Sequence, residues 1–347
     1  MNNPTDPEAY LFLGDYNLGN GSVTEADLLF RQAGALLKNF KGNEQRSKAM
    51  DRQYNAGMAL VLERRGQFAE AQKYMETFLA KDSENVAAMQ QIARIFLQMD
   101  KAADALTWLK KAKTINKDLL TPEAIVALFY QQKGDQQTAT KYMIEAITNA
   151  PQDLNTRLAA SQWSQQIGSM KQAIQQADAA LKLDPNSESA MLLRGSLALI
   201  SKDYATARLN FEKVLAKSPS NFAASNNLAL ALCESADKAD QQKAMEYAGV
   251  NAQRFSKQPE TFSTLGYVLF KNGQTDQALQ SLQQAINLSN GRMSPDTAYY
   301  LCAALNAKGT PEGIKQAKEI LSKTLEASKT FAMRPEAEKL NTELSNK

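Results

Sequence analysis

The chain has 347 residues, 44% hydrophobic and 22% charged, the balance of a soluble folded protein able to bury a core. Its 40 basic and 37 acidic residues leave a formal charge of +3, too weak a field to steer it toward nucleic acid or anionic lipid. Histidine is absent, which removes the commonest general base, the usual triads and most transition-metal sites.

Ala, Gln, Lys, Leu and Glu dominate, and 10 prolines and 16 glycines interrupt them, so helices are predicted throughout and strands are not. From the N-terminus onward one alanine recurs: Ala26, Ala71, Ala105, Ala139, Ala173, Ala207, Ala244, Ala278 and Ala317, with a spacing of 34 from Ala71 to Ala207. Twelve residues before each, allowing three inserted residues in the seventh and ninth units, stands a second small residue: Gly14, Ala59, Ala93, Ala127, Ser161, Gly195, Ala229, Gly266 and Cys302. Two short side chains per unit predict two helices pressed close, ridge into groove. Bulky residues four positions after the alanine, Phe30, Met75, Leu109, Met143, Phe211, Leu282 and Leu321, are predicted to fill the space between hairpins.

Turn chemistry fits this frame. Gly66, Gly134, Gly168 and Gly273 fall between the two helices, where a left-handed C-cap favours glycine. Pro151, Pro185 and Pro219 stop second helices, and Asp184-Pro185-Asn186 followed by Ser187 and Glu188 supplies caps for the next. Three insertions break the period. Lys38 to Lys48 reads as a solvated loop or an extension of the flanking helices, while Ser235 to Gln242 and Gly309-Thr310-Pro311 read as lengthened hairpin loops. Beyond Pro335 a polar helix is predicted to cover the last apolar face.

The period, the paired small residues and the terminal prolines resemble the tetratricopeptide repeat over nearly the whole chain. The resemblance implies an all-α, right-handed α-solenoid of nine helical hairpins with a C-terminal capping helix. The frame is one array over 1–347, with repeats at about 7–40, 52–85, 86–119, 120–153, 154–187, 188–221, 222–258, 259–294 and 295–331, an insertion at 39–51 and the cap at 335–345. The chain departs from the family in lacking the early tryptophan of the first helix, in Arg194 where an apolar residue is usual, and in having no proline at the close of repeats 1 to 3.

No phosphate-cradling loop is present, since Gly14, Gly19 and Gly21 belong to a helix and a turn. Asp237 and Asp240 read as solvated loop carboxylates, so no enzyme, cofactor or metal site is expected. Trp108, Trp163 and Cys302 read as packing residues, and Cys233, at the end of a first helix, as partly exposed.

In the resembled family the first helices line an inner groove, chiefly through their second, fifth, ninth, twelfth and thirteenth positions. Here those positions give Gln90, Arg94, Gln98, Gln131, Gln132, Asn155, Gln162, Gln165 and Gln166 in repeats 3 to 5, and Asn226, Tyr267, Lys271 and Tyr299 in repeats 7 to 9. The set is amide-rich, suited to bonding the backbone of an extended segment. The Lys, Asn and Arg clamp with which some family members grip a C-terminal carboxylate cannot be assembled from three consecutive repeats.

Asn226-Asn227-Leu228-Ala229 and the run from Thr264 to Gly273 resemble bacterial envelope proteins that assemble pili or export exopolysaccharide. The expected function is a non-enzymatic adaptor binding a protein or peptide, with a self-associating scaffold as the alternative and homo-oligomers left open. Nucleic acid and direct membrane insertion are not expected, because no run of about 18 apolar residues occurs. Met1-Asn2-Asn3-Pro4 lacks leader character, so the expected compartment is the cytoplasm, or the envelope if a signal or anchor has been removed.

Overall fold

A computed structural model describes residues 5–346; Met1 to Pro4, which carry the leader expectation, and Lys347 lie outside the described residues. Among the described residues there are nineteen α-helices and no strand. They fall into two compact units, Met1–Ala159 and Ala160–Lys347.

Unit 1 holds four hairpins: α1 (Pro7–Gly19) with α2 (Val23–Leu37), α3 (Glu44–Arg64) with α4 (Phe68–Lys81), α5 (Val86–Gln98) with α6 (Ala102–Ile115), and α7 (Pro122–Lys133) with α8 (Gln136–Asn149). α9 (Leu154–Gln166) runs across the border, and α10 (Met170–Leu183) follows it in unit 2. Unit 2 continues with four more hairpins. These are α11 (Glu188–Ile200) with α12 (Tyr204–Lys217), α13 (Phe222–Cys233) with α14 (Lys238–Arg254), α15 (Pro259–Lys271) with α16 (Thr275–Leu288), and α17 (Pro295–Lys308) with α18 (Pro311–Ala327). The last helix, α19 (Arg334–Ser345), packs on α18 and α17 and covers Cys302 and Leu321 with Ala337, Leu340 and Leu344.

Each hairpin is held by a small residue of its first helix lying against a residue of its second. A Cβ added to Gly195 would stand 2.7 Å from the Phe211 ring, one on Gly14 2.9 Å from Phe30, and one on Gly266 2.5 Å from Leu282. These separations leave no room for even a methyl group, so glycine is what lets the bulky partner seat. Where the second helix offers Met75 or Leu109, the first offers Ala59 or Ala93, and all four are buried in one core. The spacing predicts the bulky residues between hairpins: Phe30 meets Gly57 of α3 as well as Gly14 of its own hairpin, and Phe211 and Leu282, which rest on Gly195 and Gly266 of theirs, join a core shared with the following hairpins. Arg194, out of pattern in α11, donates from Nε to Asp178 of α10 at 2.7 Å.

Gly66, Gly134, Gly168 and Gly273 close the inner turns at φ between 72° and 81°. The same repeat position in hairpins 3 and 6 is held by Asp100 (φ 57°) and Lys202 (φ 61°), where a side chain costs about 1 kcal/mol of backbone strain.

Two insertions lengthen helices rather than loops. Asp237 caps α14 by accepting from the Ala239 N–H at 2.8 Å, so residues 238–242 are helical and α14 reaches 17 residues. Thr310 caps the Gly313 N–H at 3.2 Å with Pro311 in the first turn, and α18 also reaches 17 residues. Between repeats 1 and 2, residues 44–51 form the first turns of α3, capped by Asn43 and fastened where Arg46 binds Asp6 at 2.7 Å. That bond holds the Asp6 carboxyl below its ordinary range. Among the described residues no helix is long and apolar enough to cross a membrane.

Gly195→Ala is expected to destabilise the fold by about 1–3 kcal/mol through overpacking. Adding Phe211→Leu should recover part of that loss, measured as non-additivity in a urea-denaturation double-mutant cycle.

Candidate functional site

In unit 2 the first helices α11, α13, α15 and α17 turn one face toward a shared cleft. That face carries Asn226 and Leu230 of α13 and Glu234, its C-cap in helical conformation, four residues apart and therefore stacked along one side of the helix. Tyr267 of α15 donates from its hydroxyl to Glu234 Oε1 at 2.5 Å, and Lys271 Nζ meets Glu234 Oε2 at 2.9 Å. The Tyr267 ring stacks on Tyr300 of α17 with centroids 4.0 Å apart and planes at 21°.

The chain's own C-terminal segment enters this cleft. Ala332 and Met333 line a cavity of about 250 Å³ together with Tyr204, Tyr267 and Tyr300, and the Met333 N–H donates to Asp296 Oδ1 at 2.8 Å. Lys202, at the strained turn between α11 and α12, forms an ion pair with Glu336 at the start of α19. A second cavity of about 210 Å³ shares Leu230, Asp296 and Tyr300 and extends to Asn226, Ser263 and Thr297. The Ser263 and Thr297 hydroxyls are 2.7 Å apart, while Asn226, 7% exposed, has an Oδ1 with no hydrogen-bond partner.

Burial dominates the proton equilibria here. It pushes the Tyr204 and Tyr299 phenols up to about 12, helped by the negative charges of Glu234 and Glu336, and Tyr267 and Tyr300 higher still. Burial also raises the Asp296 carboxyl, against the N–H groups of Met333 and Ala332 that favour its charged form. In each case burial favours the neutral, protonated form of the group.

Unit 1 brings together three residues of the amide-rich set. Gln90, Arg94 and Gln132 border a cavity of about 330 Å³ floored by Leu97, Leu128 and Phe129. Arg94 is held there by Glu63 of α3, Nε to Oε2 at 3.0 Å. Gln98 is exposed and Gln131 half-buried on the same helices, and Asn155 donates to the Asp118 carbonyl at 3.1 Å. Gln162 and Gln166 are exposed and Gln165 half-buried on the part of α9 that belongs to unit 2. Of the C-terminal set, Asn226 and Tyr267 reach the cleft of unit 2, and Tyr299 meets Tyr300 edge-on at 6.0 Å.

Glu234, Asp296, Tyr300, Lys202 and Met333 are functional candidates that the amide-rich set omits. Asp296 and Glu234 stand at the second and thirteenth positions of their repeats, so the repeat frame contains the signal for both. Cys233 differs from expectation: it is 1% exposed, in a core with Ala231 and Leu232, and its thiol donates to the Leu230 carbonyl. Burial pushes that thiol up, and the Cys302 thiol up to about 12, so neither is a ready nucleophile. Trp163 is buried, whereas Trp108 is half-buried beneath the Lys111 ammonium at 4.4 Å. Asp240 is not free in a loop but pairs with Arg208 at 2.8 Å.

A carboxyl raised by burial weakens the fold once it ionises, so Asp296 costs stability above its raised value and nothing below the ordinary 3.8. Asp296→Asn, which keeps the acceptor for Met333, is therefore expected to raise the melting temperature at pH 7. The gain should vanish as pH falls toward 4 in melts across that range.

Tetratricopeptide-repeat family models match residues 62–123, 166–221 and 259–291. No curated protein matches the chain. Among solved structures, a tetratricopeptide repeat protein from Parabacteroides merdae ATCC 43184 is 13% identical, with a TM-score of 0.57 over 74% of this chain and 98% of that one. The APC/C hetero-tetramer Cut9-Hcn1 is 18% identical, with a TM-score of 0.52 over 90% of this chain and 59% of that one. An IFIT1 monomeric mutant solved with m7Gppp-AAAA is 17% identical, with a TM-score of 0.50 over 96% and 79%. At these identities the shared feature is the fold. Its nine-fold small-residue period, its paired helices and the three family matches make this chain a member of the tetratricopeptide-repeat family.

Proposed function

We propose that the chain is a non-enzymatic adaptor that holds an extended segment of a partner protein against the inner faces of its first helices. Tetratricopeptide folds generally mediate protein–protein interaction. The observation that carries the reading is the cleft of unit 2, which already takes up backbone: the turn at Ala332 and Met333 lines it, and Met333 gives its N–H to Asp296 as a bound peptide would. Asn226 and Tyr267 serve that cleft, and Gln90, Arg94 and Gln132 serve the one in unit 1. Gln98 and Gln131 extend the surface of unit 1 along the same helices, Tyr299 stands beside Tyr300 in unit 2, and Asn155, Gln162, Gln165 and Gln166 are further proposed contacts on α9.

The partner belongs, on this reading, to a bacterial envelope assembly such as a pilus or an exopolysaccharide exporter. The support is the sequence run from Asn226 and from Thr264, whose residues Asn226, Asn227, Thr264 and Tyr267 line the cleft. Asn226→Ala with Asn227→Ala should lower capture of envelope proteins at least about fivefold, by pull-down and mass spectrometry, at unchanged melting temperature. Arg94→Ala with Gln132→Ala tests the cleft of unit 1 in the same way. Capture unaffected by either pair rejects the reading.

Self-association is favoured by a separate observation: Phe12 (68%), Tyr16 (63%) and Leu28 (64%) are exposed on α1 and α2. A scaffold that associates through this hairpin is expected to show a mass rising with concentration in light scattering. Phe12→Ser with Leu28→Ser should abolish the rise, and a wild-type chain monomeric throughout counts against it.

A further inference from the structure

We infer that the cleft of unit 2 is built to take one cationic side chain, arginine or lysine, from the segment it binds. The inference rests on the reading of that cleft as a partner site and adds the chemistry of what enters it.

Two carboxylates, those of Glu234 and Asp296, line the cleft, and a third, Glu336, pairs with its lining residue Lys202; two of the three are answered from within the chain. Lys271 pairs with Glu234 and Lys202 with Glu336. Asp296 receives the Met333 N–H, yet among the described residues no cation stands within ion-pair distance of it. The exposed Glu260 and Arg292, at the rim of the neighbouring cavity, offset one another in sign.

A second, independent feature asks for the same ligand. Asn226 is 7% exposed and presents an Oδ1 with no partner to the cavity that Asp296 and Tyr300 also line. Glu336 likewise has an Oε2 that is buried and unpartnered. The surplus is of acceptors. A guanidinium brings five donors in a plane and an ammonium three, which is the complement required.

The surroundings narrow the choice further. Tyr204, Tyr267 and Tyr300 supply ring faces and edges beside the carboxylates, a setting that favours cations over neutral groups. The direction in which Glu234 and Glu336 push the phenols of Tyr204 and Tyr299 reports the same negative field. An acidic side chain would meet the unpaired charge of Asp296, and an aliphatic one would leave the Asn226 Oδ1 without a donor and Asp296 without a cation. Cavities of about 250 and 210 Å³ are smaller than those that enclose a drug-sized molecule but admit one long side chain. Lys202, already reaching in from the turn of hairpin 6, shows that an ammonium is tolerated there.

Met333 lines the cavity, and its methyl provides the readout on the intact chain. With methionines carrying 13C-methyl groups and Met333→Leu to assign the signal, the probe is Nα-acetyl-arginine N-methylamide. Its neutral counterpart is the citrulline derivative. The arginine probe is expected to shift the Met333 methyl saturably and to bind at least about tenfold tighter than the citrulline probe. Asp296→Asn, checked for folding by the remaining methyl signals, should bring the two probes to equal affinity. Equal binding by both probes in the wild-type chain overturns the inference, as does an arginine preference that survives Asp296→Asn, or no response to the arginine probe. The capture assay with the Asn226 and Asn227 variants is read separately: if it still loses partner, the adaptor reading stands and only the cation is lost.

Discussion

Every hairpin depends on the distance at which its two helices can cross, and that distance is set by one side chain on each. Gly195 under Phe211 and Gly14 under Phe30 are the close extreme, where the missing methyl is the space the ring occupies. Ala59 with Met75 and Ala93 with Leu109 reach the same end with volume divided differently. In each of these hairpins a short side chain on the first helix seats a bulky one on the second, which brings the two helices close, and within a unit successive first helices lie side by side. The clefts are a by-product of that alignment. Their chemistry is written at positions the packing leaves free.

In unit 2 this freedom is used in one direction. Residues four apart on α13 and its C-cap supply an amide, an aliphatic floor and a carboxylate. α15 and α17 add stacked tyrosines, and the C-terminal segment closes the far side through Met333 and Glu336. The closure draws on a strained position, since Lys202 occupies a left-handed turn that glycine holds in neighbouring repeats. Strain at a residue that also reaches a binding cleft is a common partnership.

The sequence makes the helical frame legible because a period repeats its message nine times. Helices begin at residues 7, 86, 154, 188, 222, 259 and 295, where the small-residue spacing puts them. It fails where the message occurs once. The inserted residues at 235–242 look like loop until Asp237 is recognised as a cap, and the family of amides hides the carboxylates beside it. Asp296 and Glu234 occupy groove positions of the frame, but their importance comes from burial and from Met333, which no periodicity connects to them. Lys202 and Glu336 are 134 residues apart, and a single pairing at that separation leaves no trace in a local pattern. Cys233 reads as exposed because it ends its helix, whereas the core of unit 2 continues past it.

Both thiols of the protein are shut inside unit 2, Cys233 at the end of α13 and Cys302 in the middle of α17, each bonded to a backbone carbonyl. An alkylating reagent therefore has nothing to attack until that unit breathes, and the rate of modification becomes a clock for its opening events. Unit 1, having no sulfhydryl, is silent in the same reaction. The native chain thus carries a built-in way to time the loosening of one half without labels, mutations or interference from the other.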